Sequence, residues 1–132
     1  MEQIANGLKA RVITSLLVDR DGFLWVGARE GLFRFDGYET LAFLPDAADP
    51  YAISDADVRY LFQDSEGVLW IGTSAGGLNR YDPGSGRFQR FTHDPSDPGS
   101  LARDTVIAIS EGSDGGLWVA TQTGLSRLER AS

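Results

Sequence analysis

Three stretches, FLWVGAREGLFRFD (residues 23–36), VLWIGTSAGGLNRYD (residues 68–82) and GLWVATQTGLSRLE (residues 116–129), are near-copies of one phrase. Their tryptophans, Trp25, Trp70 and Trp118, stand 45 and 48 residues apart. A chain that repeats at such a period is an array of small units. Each unit buries its apolar face only by stacking on a neighbour.

Working outward from the tryptophans, each copy opens with a mostly apolar run: ITSLLV (13–18), VRYLFQ (58–63) and VIAISE (106–111). None alternates cleanly, so strands buried on both faces are expected. A turn follows in each copy: Asp19-Arg20-Asp21-Gly22, Asp64-Ser65-Glu66-Gly67 and Gly112-Ser113-Asp114-Gly115. Asp opens such a turn through its side-chain oxygen, and Gly takes the positive-φ corner. The second strand carries Leu-Trp and a β-branched residue, and a further turn ends at Gly31, Gly77 or Gly124. Third strands are predicted over residues 32–35, 78–81 and 125–128, and fourth strands over 38–43 and 87–91. The linkers PDAADPYAISDAD (45–57) and HDPSDPGSLARDT (93–105) align without a gap. Leu8 precedes Ile13 by the spacing that separates Ile53 from Val58, so the chain begins inside such a linker.

Four short antiparallel strands in a unit of about 40–50 residues define a β-propeller blade. Helical repeats require longer stretches with a period near 3.6, and none is present. The expected architecture is all-β, a single domain over residues 1–132 with three blades: residues 12–44, 57–92 and 105–129. The last blade lacks its fourth strand. Closed propellers have about 4–8 blades, so three leave an incomplete ring with two bare faces. Either two or three copies associate head to tail into a closed ring, or a longer parent chain supplies the missing blades.

Composition narrows the function classes. A formal charge of −7 repels phosphate backbones, so no nucleic-acid partner is expected. No window approaches the roughly 18 apolar residues of a membrane span, and the first 19 residues lack a signal peptide's apolar stretch. No direct membrane insertion is therefore expected. There is no cysteine, hence no disulfide framework or thiolate metal site. His93 is the one histidine, too few for a metal cluster or an argued Ser/His/Asp set. No catalytic residue, metal site or cofactor is expected.

With DRDGFLWVGAREGLFRFDGYETLAF, DSEGVLWIGTSAGGLNRYDPGSGRFQRF and the linker HDPSDPGSLARDTV in view, the chain resembles the two-component regulator propeller family over nearly its whole length. The resemblance implies a bacterial sensor propeller, periplasmic or extracellular, placed ahead of a membrane segment and a kinase, cyclase or transcription output module. Some members resemble sensors of carbohydrate breakdown products. The third copy departs from the other two, with Gly112 where they have Asp19 and Asp64 and Ala120 where they have Gly27 and Gly72.

Residues that recur in every copy are assigned to scaffold. Trp25, Trp70 and Trp118, with Gly31, Gly77 and Gly124, form the repeat core. Arg34, Arg80 and Arg127 are read as partners of Asp36, Asp82 and Glu129 or as covers for apolar surface. Specificity then rests on singular polar residues. In a propeller the loops between the second and third strands share one face with the linkers around the channel. Arg29, Glu30, Ser74, Gln122 and Thr123 lie in those loops, Tyr51 and Arg103 on linkers, and Arg59 and Tyr60 at the start of an innermost strand. This set is the candidate site for an oligosaccharide or other small polar ligand. Two alternatives stand beside non-catalytic ligand sensing: a self-assembling scaffold for protein contacts, and a fragment of a carbohydrate-active propeller enzyme.

Overall fold

A computed structural model describes residues 1–2 and 8–129. The start of the first linker, at residues 3–7, and residues 130–132 lie outside the described residues. Among the described residues eleven strands form three antiparallel sheets in chain order. Blade 1 contains β1 (Ile13–Val18), β2 (Leu24–Ala28), β3 (Gly31–Phe35) and β4 (Thr40–Phe43). Blade 2 contains β5 (Val58–Gln63), β6 (Leu69–Thr73), β7 (Leu78–Asp82) and β8 (Arg87–Phe91). Blade 3 contains β9 (Val106–Glu111), β10 (Leu117–Thr121) and β11 (Gly124–Leu128). Adjacent blades meet through their first strands, β1 against β5 and β5 against β9, and splay towards the fourth. This is the expected propeller arrangement.

The first strands correct one expectation. They are not buried on both faces. In β5 only Val58 and Leu61 are buried, and in β9 only Val106 and Ile109. Each first strand carries a one-residue bulge near its start: Ile13 and Ser15, Val58 and Tyr60, and Val106 and Ala108 face consecutive residues of the neighbouring strand. The extra residue (Thr14, Arg59 or Ile107) shifts the alternation by one, so apolar side chains three apart share a face. The irregular hydrophobic pattern records this bulge. The fourth strand of blade 1 is also shorter than predicted. Asp36 Oδ1 accepts the N–H groups of Tyr38 and Glu39, both at 2.8 Å, and holds them in the turn.

The turn aspartates do more than shape a hairpin. Asp64 Oδ1 accepts the N–H groups of Glu66 (2.9 Å) and Val68 (3.0 Å), and its Oδ2 accepts the Trp70 indole N–H at 2.8 Å. Asp19 holds Asp21, Phe23 and Trp25 in the same way. Blade 3 has Gly112 here. Trp118, without that carboxylate, is 41% exposed, against 2% for both Trp25 and Trp70. Among the described residues Trp118 therefore stands outside the packed core, on a face that no described blade covers.

Two cores lie between the blades. Between blades 1 and 2, Trp25 and Leu32 pack with Val58, Leu61, Ile71 and Phe88. Between blades 2 and 3, Trp70 and Leu78 pack with Val106, Ile109, Leu117 and Val119. Each large apolar side chain buried contributes about 1.5–3 kcal/mol, so these contacts outweigh polar struts worth about 1 kcal/mol each. The struts set the alignment: Arg20 N–H reaches Gln63 Oε1 at 3.1 Å, and the Ser65 hydroxyl reaches Glu111 Oε2 at 2.6 Å. Linkers are tied down as well, with Asn79 bonded to both the backbone and the hydroxyl of Ser54.

The glycine after Trp-Val/Ile is needed for close approach. A Cβ on Gly27 would stand 2.8 Å from Val58 Cγ1, and one on Gly72 2.6 Å from Val106 Cγ1. Gly72→Ala should therefore cost about 1–3 kcal/mol in urea unfolding followed by tryptophan fluorescence, whereas Ala120→Gly should cost under about 1 kcal/mol. Asp64→Ala removes three hydrogen bonds made by a buried carboxylate and should cost about 3 kcal/mol or more in the same assay.

Candidate functional site

The loops between second and third strands are anchored alike in every blade. Each donates one backbone N–H to a carbonyl just ahead of its own first strand: Arg29 to Val12 (3.0 Å), Ser74 to Asp57 (2.9 Å) and Gln122 to Thr105 (3.1 Å). The three loops and the ends of the linkers therefore share one end of the blade array. Arg29, Glu30, Ser74, Arg103, Gln122 and Thr123 all belong to that end.

Side-chain partners divide this set. Glu30 Oε1 accepts the N–H groups of Arg11 (2.8 Å) and Val12 (3.2 Å), so its carboxylate holds the incoming linker. These two backbone donors lower its pKa, Arg11 contributing most. Arg59, the bulge residue of β5, is gripped by Asp57: Nη2 to Oδ2 and Nε to Oδ1 are both 2.9 Å. That pair is half-exposed and nearly neutral as a unit. Arg29, Arg103, Gln122 and Thr123 are exposed. Arg103 donates to the neighbouring Ala102 carbonyl at 2.9 Å.

Two residues of the expected set lie elsewhere. Tyr60 packs against the core between blades 2 and 3, because the bulge turns it towards Trp70 and Val106. Tyr51 sits beside the outermost strand: its carbonyl accepts the Phe88 N–H at 2.8 Å, and Arg87 stacks 4.5 Å above its ring. The linker runs along β8 before returning to the axis, a path that sequence spacing alone does not reveal. Gly31 and Gly77 sit at φ 146° and 77°, while Gly124 keeps a negative φ and lies against Ala102.

The recurring arginines stack on rings more than they pair with acids. Arg34 lies 4.6 Å from Phe23 and 5.7 Å from Trp25, Arg80 5.9 Å from Trp70, and Arg127 5.8 Å from Trp118. Arg127 additionally pairs with Asp114 and with Glu129, the latter at 2.9 Å. The Trp-to-Arg cross-strand register, identical in all three blades, was the signal available for these stacks.

Turn acids form the main electrostatic pattern. The pKa of Asp82 is lowered by the Ser85 hydroxyl and then the Gly84 N–H, and that of Asp94 by the Ser96 hydroxyl and N–H. Asp36 is lowered by Glu39 and Tyr38, and Asp114 by Gly116 and then Arg127. Among the described residues no group of three or more His, Cys, Asp or Glu side chains is placed to hold a metal ion.

These features define a β-propeller segment whose loop end presents singular polar side chains over an anchored scaffold. The chain belongs to the two component regulator propeller family, whose repeat matches residues 7–30, 52–75 and 100–123. The extracellular domain of BT3049, assigned to a hybrid two component system of B. thetaiotaomicron, is similar at 28% identity and TM-score 0.88, over 97% of this chain and 18% of its own length. The corresponding domain of BT4673 from the same organism is similar at 28% identity and TM-score 0.73, over 88% of this chain and 16% of its own. This chain thus spans under a fifth of either relative. Virginiamycin B lyase of Staphylococcus aureus, at 15% identity and TM-score 0.58 over 91% of this chain and 42% of its own, shares the fold alone. No curated protein sequence matches the chain. Among the described residues no helix is long and apolar enough to cross a membrane.

Each of these depressed carboxylates stabilises the fold above the ordinary carboxylate range and loses that contribution as pH falls towards its lower folded-state pKa. The melting temperature should accordingly hold from neutral pH down to about pH 5 and fall below about pH 4. Glu30→Gln should flatten part of that acid limb in a melting-temperature series against pH.

Proposed function

We propose that this chain is part of a non-catalytic ligand-sensing propeller of a bacterial two-component-type signalling protein, working outside the cytoplasm. The observation that carries this reading is the likeness over 97% of the chain to the extracellular domain of BT3049. The ligand class we propose is an oligosaccharide or another small polar molecule, met at the loop end by Arg29, Arg103, Gln122 and Thr123. Arg59 takes part only when the ligand displaces it from Asp57.

The two bare faces are blade interfaces in this reading. Ile13 and Leu16 are 49% and 62% exposed, whereas their counterparts Val58 and Leu61 are 0% and 6%. At the other end Trp118 and Leu125 are uncovered. A second copy meets these faces poorly. Ring closure would press Ile13 onto the Ala120 methyl where the internal contacts have glycine, with Thr40 in the position held by Phe88 in blade 2. Further blades of different sequence, in a longer polypeptide, fit better than self-closure.

A thermal-shift panel of neutral and acidic oligosaccharides tests sensing. At least one member should raise the melting temperature, and Arg29→Ala with Arg103→Ala should abolish the rise. No response to any sugar sinks the ligand assignment, and turnover of a sugar sinks the non-catalytic one. Light scattering addresses the faces: no discrete ring should form, and a defined two- or three-copy species that shields Trp118 from quencher would restore self-closure.

A further inference from the structure

A groove of about 760 Å³ lies at the outer rim of blade 2, towards the turns opposite the loop end. Its walls are the turn at residues 66–68, β7, β8 and the linker at residues 50–51. All of them belong to blade 2 and its own linker. Across β7 and β8, Arg80 faces Gln89 and Asp82 faces Arg87. Alternation puts these four side chains on one side of the sheet. Their counterparts in blade 1 are Arg34, Leu41, Asp36 and Glu39. Leu41 and Glu39 remain exposed beside the four strands of blade 2. The splay of the blades thus leaves this outer surface open even where a four-stranded blade follows.

Blade 2 differs from blade 1 here by a second cation. Arg87 stands where blade 1 has an acid, and Gln89 where it has a leucine. Neither Arg80 nor Arg87 forms an ion pair with a carboxylate among the described residues. Arg87 lies 4.5 Å above the Tyr51 ring, and Arg80 5.9 Å from that of Trp70. Asp82 is held in its own turn, where Oδ1 accepts the Gly84 N–H at 3.1 Å and Oδ2 the Ser85 hydroxyl at 2.7 Å. A guanidinium stacked on a ring keeps its in-plane N–H donors for an oxyanion. Glu66, Asp82 and Arg90 also line the groove, so three arginines face two acids: +3 and −2 give a net +1, on a chain of −7.

The stacks select the kind of anion. Trp70 draws Arg80 towards β6, while Tyr51, bonded along the outer edge of β8, draws Arg87 outward. Diagonal positions on one face of a strand pair stand about 7–8 Å apart, and these opposite pulls widen the gap between the two charges. One small oxyanion meets only one guanidinium without breaking a stack. Two carboxylates on a short spacer meet both, with the Gln89 amide between them.

We propose that this groove binds a small dicarboxylate, one carboxylate on Arg80 and the other on Arg87, at a site separate from the loop end. The assignment gives Tyr51 a role in holding Arg87, a role that the recurring scaffold does not require, since Gly99 stands in its place in the next linker.

The experiment titrates succinate, glutarate and adipate into the chain at constant ionic strength, followed by amide chemical shifts. At least one should bind saturably with a Kd of about 1 mM, the strength of two exposed charge-assisted contacts, and move the amides of residues 80–89. Acetate and sulfate should bind about tenfold more weakly or less. The double variant Arg87→Glu with Gln89→Leu installs the residues that blade 1 carries at these positions, so the fold is kept, and it should lose binding by about tenfold or more. Tyr51→Leu should weaken binding by releasing Arg87. Absence of saturation, equal binding by the double variant, or sulfate matching the best dicarboxylate overturns the proposal. So do shifts confined to residues 29, 103, 122 and 123, which would place the ligand at the loop end instead.

Discussion

Every other feature of this molecule depends on how closely the first strand of one blade approaches the second strand of the blade before it. Val58 touches the backbone at Gly27, and Val106 at Gly72. That approach brings Trp25 and Trp70 over the next blade and dries both cores. It also sets the wedge: sheets joined at their first strands and spread at their fourth must curve about a common axis. The loop end, the linker path and the groove at the rim of blade 2 are all consequences of that wedge.

Much of the fold was legible because the determining signals are local and repeated. A turn aspartate, a glycine and a Leu-Trp pair act within a few residues of each other, and three copies in register remove most ambiguity. What was not legible depends on partners far away in sequence. The bulges at Thr14, Arg59 and Ile107 are defined by register against a neighbouring strand, so their effect on burial read as two-sided strands. Tyr60 looked like a loop-end residue and, for the same reason, lies half-buried against the core between blades 2 and 3. Tyr51 was placed near the channel because linkers end there, yet this linker first lies along β8.

The candidate site was legible as a set of loops and only partly as chemistry. Sequence singled out Glu30 and Arg59 for being charged and unrepeated. The structure gives each a local duty, Glu30 as an anchor for backbone N–H groups and Arg59 as the partner of Asp57. The Asp-to-Trp hydrogen bond escaped notice because its two ends are six residues apart across a hairpin, and the turn role alone accounted for the aspartate. Its loss at Gly112 coincides with the blade whose tryptophan is uncovered.

The bulges carry a consequence for what each first strand can reach. A residue that has left the ladder is released from the pairing of its own sheet and free to take a partner of its own: the Thr14 hydroxyl donates to the Val58 carbonyl of the next blade, Arg59 pairs with Asp57, and Ile107 stands exposed. Threonine, arginine and isoleucine occupy this position in three otherwise matching blades. One bulge position thus serves three different contacts in this chain, a tie to the next blade, an ion pair and an open apolar side chain, while the ladder on either side of it keeps the same register.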